Sequence, residues 1–223
     1  MKKLLLAILI TFGSFSIVSA DLGLNLGVSA SLGEYEAIGS EVEDTETSAK
    51  HKEKMLGGMA SIFIEKELTF LPGPLKRLTI GYDKVMHDIA TGTKDTTRID
   101  EKADGQKVSI NQKVSADISN INTLYLTLRI TDWLYLKGGE MNMDVATTES
   151  LGTGSSYNDT TLDGTVYGFG LSHKSDNGMF FRAEYTDTSI DGVKLASTTN
   201  SANSVTLDSI EGTQGRISIG RSF

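Results

Sequence analysis

The chain has 223 residues, a net charge of −8, 23 glycines, two prolines and no cysteine. These values exclude disulfides, a tether through a lipidated N-terminal cysteine, and the basic footprint that nucleic-acid binding requires. The length suits one domain. After residue 20 there is no apolar run of about 18 residues, so membrane helices are excluded too.

The first 20 residues, "MKKLLLAILITFGSFSIVSA", combine a basic start at Lys2 and Lys3, an apolar stretch from Leu4 to Ile10 and a small-residue end at Val18-Ser19-Ala20. That is the build of a cleaved secretory signal peptide, leaving residues 21–223 as the mature domain. Loss of its two lysines takes the net charge from −8 to −10.

From there the period is two almost throughout. In the first predicted strand Leu22, Leu24, Leu26, Val28, Ala30 and Leu32 alternate with Gly23, Asn25, Gly27, Ser29, Ser31 and Gly33. Such alternation gives a strand two faces in different surroundings, whereas a helix would scatter these residues around its axis. Further strands are predicted from Met55 to about Leu68, without a settled parity, and from Lys76 to about Ile89. The next runs from Lys107 to Ile130, with Val108, Ile110, Val114, Ala116, Ile118, Leu124, Leu126, Leu128 and Ile130 all even, unless the polar Ser119–Asn122 forms a turn and raises the strand count from eight to ten. Trp133–Val145, Thr165–His173, Met179–Thr188 and about Ser204 to Phe223 complete the set.

Compact turns at Leu71–Pro74, Thr131-Asp132 and Ser175–Gly178 alternate with long polar segments at Glu36–Lys54, Thr91–Gln106, Ala146–Gly164 and about Asp191–Asn203. This puts both ends of the sheet at the short-turn end, the layout of an up-and-down transmembrane barrel with short periplasmic turns and long external loops. Phe70, Trp133, Tyr135, Phe181 and Phe223 gather at that end, as an interfacial aromatic girdle would. A second ring is expected from Tyr35, Tyr82 and Tyr185.

The opposite strand faces carry charges that lipid would not accept. Arg129, Glu140, Asn142, Asp144, Arg182 and Glu184, with Glu65, are expected to form a polar network plugging the lumen, because eight strands leave room only for side chains.

The chain ends "GRISIGRSF", in which Gly215, Ile217, Ile219 and Phe223 share a face. This resembles the C-terminal insertion signal of bacterial outer-membrane β-barrel proteins, although Arg221 stands where that family often has an aromatic residue. Over the mature chain the architecture resembles the small eight-stranded barrels of the OmpA, OmpX, OmpW and opacity-protein type. The resemblance implies an all-β, eight-stranded antiparallel barrel in the outer membrane, inserted by the barrel-insertion machinery among outer-membrane lipid and lipopolysaccharide. It implies envelope integrity, adhesion or surface contact, or else a narrow channel or carrier for small apolar molecules. An extracellular partner is left unidentified. No cofactor, metal or nucleic acid is expected.

Other candidates weigh less. His87 with Asp83 or Asp88 is a possible general-base pair at the outer rim, but neighbouring strand residues point to opposite faces, and the expectation is a non-enzyme. The acidic run at 34–47 matches no calcium-loop spacing. It reads as a solvated segment balanced by Lys50, Lys52 and Lys54, with divalent-cation bridging to lipid headgroups as the alternative. A soluble lipocalin-like barrel would reverse the faces and put the apolar ones inside.

Overall fold

The computed structural model describes residues 22–43, 46–47, 50–91, 94–101, 107–150, 155–199 and 202–223; the export signal expected at 1–20 lies outside them. Eight strands make the wall: β1 Leu24–Glu43, β2 His51–Glu67, β3 Leu78–Val85, β4 Lys107–Arg129, β5 Leu134–Ser150, β6 Thr160–Lys174, β7 Met179–Ala196 and β8 Ser204–Ser222. Each pairs antiparallel with the next, and β8 returns to β1, so the sheet closes. Short strands at Glu46–Thr47, Ile89–Ala90 and Lys94–Glu101 extend the wall at one end.

The other end is trimmed by tight connections. A 3₁₀ turn at Gly73–Arg77 joins β2 to β3. The Thr131 hydroxyl accepts the Leu134 N–H at 2.9 Å between β4 and β5. Gly178, at φ +84°, closes the turn into β7.

Following the register once around the barrel links Leu24, Lys66, Ile80, Leu126, Gly138, Tyr167, Asp187 and Thr213, and arrives back on β1 at Glu34. The circuit is therefore staggered by ten residues, which for eight strands sets a tilt of about 40° and an interior that side chains fill.

Side chains sort by parity. On β1 to β5 the even residues of the lower wall face outward, among them Ile62, Ile64, Ile80, Leu124, Leu126, Leu128 and Leu136, all exposed. On β6 to β8 the odd ones do: Tyr167, Phe169, Leu171, Phe181, Tyr185 and Ile217. The inward positions hold Asn25, Glu65, Asp83, Lys137 and Glu184, all buried. The barrel is inside out.

Several expectations need correction. The single long strand expected at 107–130 is present as β4, but Ser119–Asn122 forms a bulge in it: the register steps from Ser119 opposite Asp144 to Asn122 opposite Asn142, and Asn120 takes a left-handed φ of 49°. The extra residue reverses the phase of β4: below it Ile121 keeps the inward odd parity of Tyr125 and is buried, and above it the even Ile118 turns in against the upper core. The long polar segments also continue as strands for much of their length, as β1 running to Glu43 and β7 to Ala196 illustrate.

Glu140, Asn142 and Asp144 do not enter the lumen. They lie on the outer face of β5, with Glu140 beside the outward Leu124, while Met141, Met143 and Val145 turn inward. The reason is height. Above the apolar band the wall stands in water, so its exterior becomes polar and its interior apolar, the ordinary arrangement for a soluble sheet. Val85, Ile121, Met143, Leu162 and Ile190 form that upper core. Asp144 accepts from Asn120 at 2.8 Å and Thr161 at 3.0 Å, and these bonds hold its carboxyl below its ordinary pKa.

The girdle at the short-turn end consists of Phe70, Trp133 and Phe181, all exposed, with half-buried Phe223 lying 5.6 Å from the Arg221 guanidinium. Tyr135 does not belong to it. It points inward and is only 6 % exposed. Tyr82 and Tyr185 face outward, but Tyr35 lies inside against Gly212, and Tyr167 joins the outer aromatics instead.

Height along the wall gives a test. Leu126→Arg, within the apolar band, should lower folded stability by about 2–4 kcal/mol in urea titrations in lipid vesicles, whereas Glu140→Arg, above the band, should cost less than about 1 kcal/mol.

Candidate functional site

The lower lumen is filled by two linked clusters of charge. In the first, the Arg182 guanidinium grips Glu65 with both terminal nitrogens, at 2.5 and 2.7 Å. Glu65 also accepts from the Tyr125 hydroxyl at 2.9 Å and the Asn25 amide at 3.1 Å. It is 1 % exposed. In the second, Glu184 accepts from Tyr135 at 2.6 Å and Lys137 at 3.2 Å, with Arg216 Nε at 3.4 Å. Arg216 continues to Asp83, which also accepts from Ser61 at 2.9 Å. Ser61 in turn meets Ser29 at 2.7 Å.

Three carboxylates therefore face three cations at the centre, and no net charge is left enclosed. Such burial is tolerable only when each ion keeps its partners, because desolvating either sign alone is costly. Rings reinforce the cations: Lys137 lies 4.2 Å from the centre of Tyr125, and Arg182 lies 4.5 Å from that of Phe180.

Two glycines make room for the tyrosines. A Cβ on Gly81 would come within 2.4 Å of the Tyr125 ring, and one on Gly170 within 2.3 Å of Tyr135. What alternation suggests is merely a wet, small-residue face on β6 is the seat of a buried aromatic ring.

Of the expected network, Arg182 and Glu184 sit at its centre. Arg129 lies at the lower mouth on the same inward face, half-exposed and 3.6 Å from Glu67, which Asn25 links to Glu65. Asp83, Lys137, Arg216, Tyr125 and Asn25 join the network from outside the expected set. Each carries a legible signal, since all have the opposite parity to an outward apolar neighbour, as Arg216 has to Ile217.

The wall faces lipid where it is apolar and encloses ions where it is charged. This is a transmembrane β-barrel.

The remaining candidates separate. Asp83 is tied to Arg216 inside the lumen. His87 sits at the outer edge, where its Nε2 accepts the Ala60 N–H at 3.1 Å and its Nδ1 lies 3.1 Å from the Asp88 carbonyl oxygen. The His87–Asp83 pair is not assembled. On the outer surface Glu34, Glu36, Asp187 and Glu211 line a shallow cleft of about 480 Å³ with Tyr167. Glu36 and Glu34 are engaged by Lys52 at 2.8 Å and Lys54 at 2.9 Å. Among the described residues no group of acids or histidines is arranged to hold a metal ion. Asp44 lies outside the described residues. Ile217 and Ile219 lie on the outward face of β8 with Gly215, and Phe223 pairs with Leu24 through both backbone groups, at 2.8 and 3.2 Å.

No family model and no curated protein matches the chain. Solved structures with a similar chain course include Ail, the attachment invasion locus protein of Yersinia pestis, in complex with the heparin analogue sucrose octasulfate (14 % identity, 88 % of this chain and 99 % of that one, TM-score 0.37). The outer membrane protease OmpT of Escherichia coli (8 %, 93 % and 99 %, 0.45) and the Neisserial surface protein A (10 %, 87 % and 97 %, 0.34) are others. At these values the likeness transfers no activity, and the assignment rests on the closed register and the inverted polarity.

Removing one partner of the lattice should hurt more than removing a pair. Glu65→Ala strands Arg182 and is expected to cost about 3–5 kcal/mol in urea unfolding, while the double replacement Glu65→Leu with Arg182→Met should recover most of that loss.

Proposed function

We propose that this barrel is non-enzymatic, that its lumen is plugged, and that it works as a structural and surface-contact element of the outer membrane. The observation that carries the reading is the two-storey filling of the interior. The balanced lattice of Glu65, Asp83, Glu184, Lys137, Arg182 and Arg216 occupies the membrane level. The apolar cluster of Val85, Ile121, Met143, Leu162 and Ile190 stands above it. An ion entering would have to break charge-assisted bonds below and lose its hydration among apolar side chains above, and both steps are costly.

The non-enzymatic part is supported by the disposition of the rim. His87 serves as a hydrogen-bond acceptor for the backbone of β2, and its candidate partner Asp83 is held elsewhere. For assembly, the outward row of Gly215, Ile217, Ile219 and Phe223 on and just beyond β8 is the surface we assign to the barrel-insertion machinery. The apolar band with its girdle is the surface assigned to outer-membrane lipid and lipopolysaccharide.

Planar-bilayer recording tests the reading. The native barrel is expected to give no steady current above background. A steady current from the native protein would overturn the plugged lumen and favour a narrow channel or carrier for small apolar molecules.

A further inference from the structure

The wall is closed at the membrane but splits above it. β2 and β3 pair from Glu67–Thr79 up to Ser61–Val85, and a last backbone bond joins Met86 N–H to the Ala60 carbonyl at 2.9 Å. Beyond that, residues 89–90 and 94–101 pair with β4 and not with β2. The irregular stretch at 86–88 faces the bulge at Asn120, and bulges bend a strand pair and sharpen its twist. From there on the β3 side ladders only with β4 among the described residues, which leaves a seam beside β2 at the long-loop end.

The seam leaves one edge of β2 without a ladder. In an antiparallel sheet, alternate residues direct both backbone groups to the same neighbour. Ala60 addresses the seam side, with its carbonyl bonded to Met86 and its N–H to the His87 ring. By that alternation Gly58, Leu56, Lys54 and Lys52 also present N–H and C=O to the seam, and among the described residues no strand pairs with them there. All four are exposed, Leu56 at 86 %.

We propose that this edge receives an extended segment of an extracellular partner protein, alternating apolar and acidic residues, as an added β-strand. The inference deepens the surface-contact reading by naming the chemistry of the contact. A row of donors and acceptors at strand spacing is matched by another strand's backbone. The two sides of the edge fix the alternation. Toward the interior, below Glu53, stand Met55 and Met59 with Ile89 across the seam, and Met59 and Ile89 are only partly covered against the upper core. Apolar side chains of the added strand complete that wall. Toward water stand Lys52 and Lys54, in the basic run "AKHK" through Lys54 of an otherwise acidic chain. They already meet Glu36 and Glu34 on the β1 side, and carboxylates on the seam side would place each lysine between two acids. The same lysines discriminate against a second copy of this chain, whose own β2 would bring like charges to the contact.

The test is amide hydrogen exchange on the barrel in detergent micelles, with an acetylated eight-residue peptide alternating valine and glutamate as the probe. The amides of Lys52, Lys54, Leu56 and Gly58 should exchange at least tenfold more slowly with this peptide. A valine–lysine counterpart should need at least ten times the concentration. Leu56→Pro deletes a donor that faces the seam and spares the β1–β2 ladder, so it should abolish the protection while keeping heat-modifiable migration on gels. The double reversal Lys52→Glu/Lys54→Glu, made at exposed sites, should switch preference to the lysine peptide. No protection at millimolar peptide, equal protection in the folded Leu56→Pro barrel, or an edge already protected in the free protein, by its own chain or by a second copy detected by mass, would each overturn the proposal. Conductance is read separately, so a closed lumen with a silent edge sinks only the docking strand, and a bound peptide on a conducting barrel sinks only the plug.

Discussion

Hydrocarbon offers no partner to a peptide group, and each unbonded amide left in it is costly. A sheet that crosses a membrane must therefore have no edge at that depth, and the ladder between β1 and β8 meets this requirement. Closure then sets both the lumen and the outer face. Eight strands staggered by ten residues leave an interior that side chains can fill, and they turn one face of every strand toward lipid. The constraint ends where the lipid ends. Above the band water can satisfy an open edge, and there the β2–β3 pairing is released.

The same boundary explains the two interiors. Within the band the apolar residues are drawn outward, and the enclosed residues are the polar ones, which must find each other. Glu65, Glu184 and Asp83 do so with Arg182, Lys137 and Arg216. Above it the solvent lies outside, so Met143, Leu162 and Ile190 turn in and Asp144 and Glu140 turn out. A single strand such as β5 thus contributes Lys137 to a charged interior and Met143 to an apolar one, with its parity unchanged.

That is also where the sequence stops being legible. Strand positions, short turns and the direction of the apolar face in β1, β6 and β7 come from period two alone. Glu140, Asn142 and Asp144 alternate with apolar residues just as lumen residues would, and nothing local marks the height at which lipid gives way to water. The bulge at Asn120 is equally hidden, because the even phase resumes at Leu124 after the interruption. Tyr135 looks like a girdle residue by its place beside a turn, yet it shares the inward parity of Lys137, and the space over Gly170, its register partner on β6, seats its ring. Arg216, Asp83 and Lys137 are readable from parity, but a lone charge between apolar neighbours does not name its partner on a strand far along the chain.

The seating of Tyr125 over Gly81 and of Tyr135 over Gly170 ties positions 44 and 35 residues apart into units. Neither member can drift alone: a larger residue at the glycine evicts the ring, and a smaller one at the tyrosine leaves a void and deprives a carboxylate of its donor. Inheritance should act on each couple as on a single locus, so that distant descendants of this barrel keep both members or exchange both, whatever becomes of the surface above.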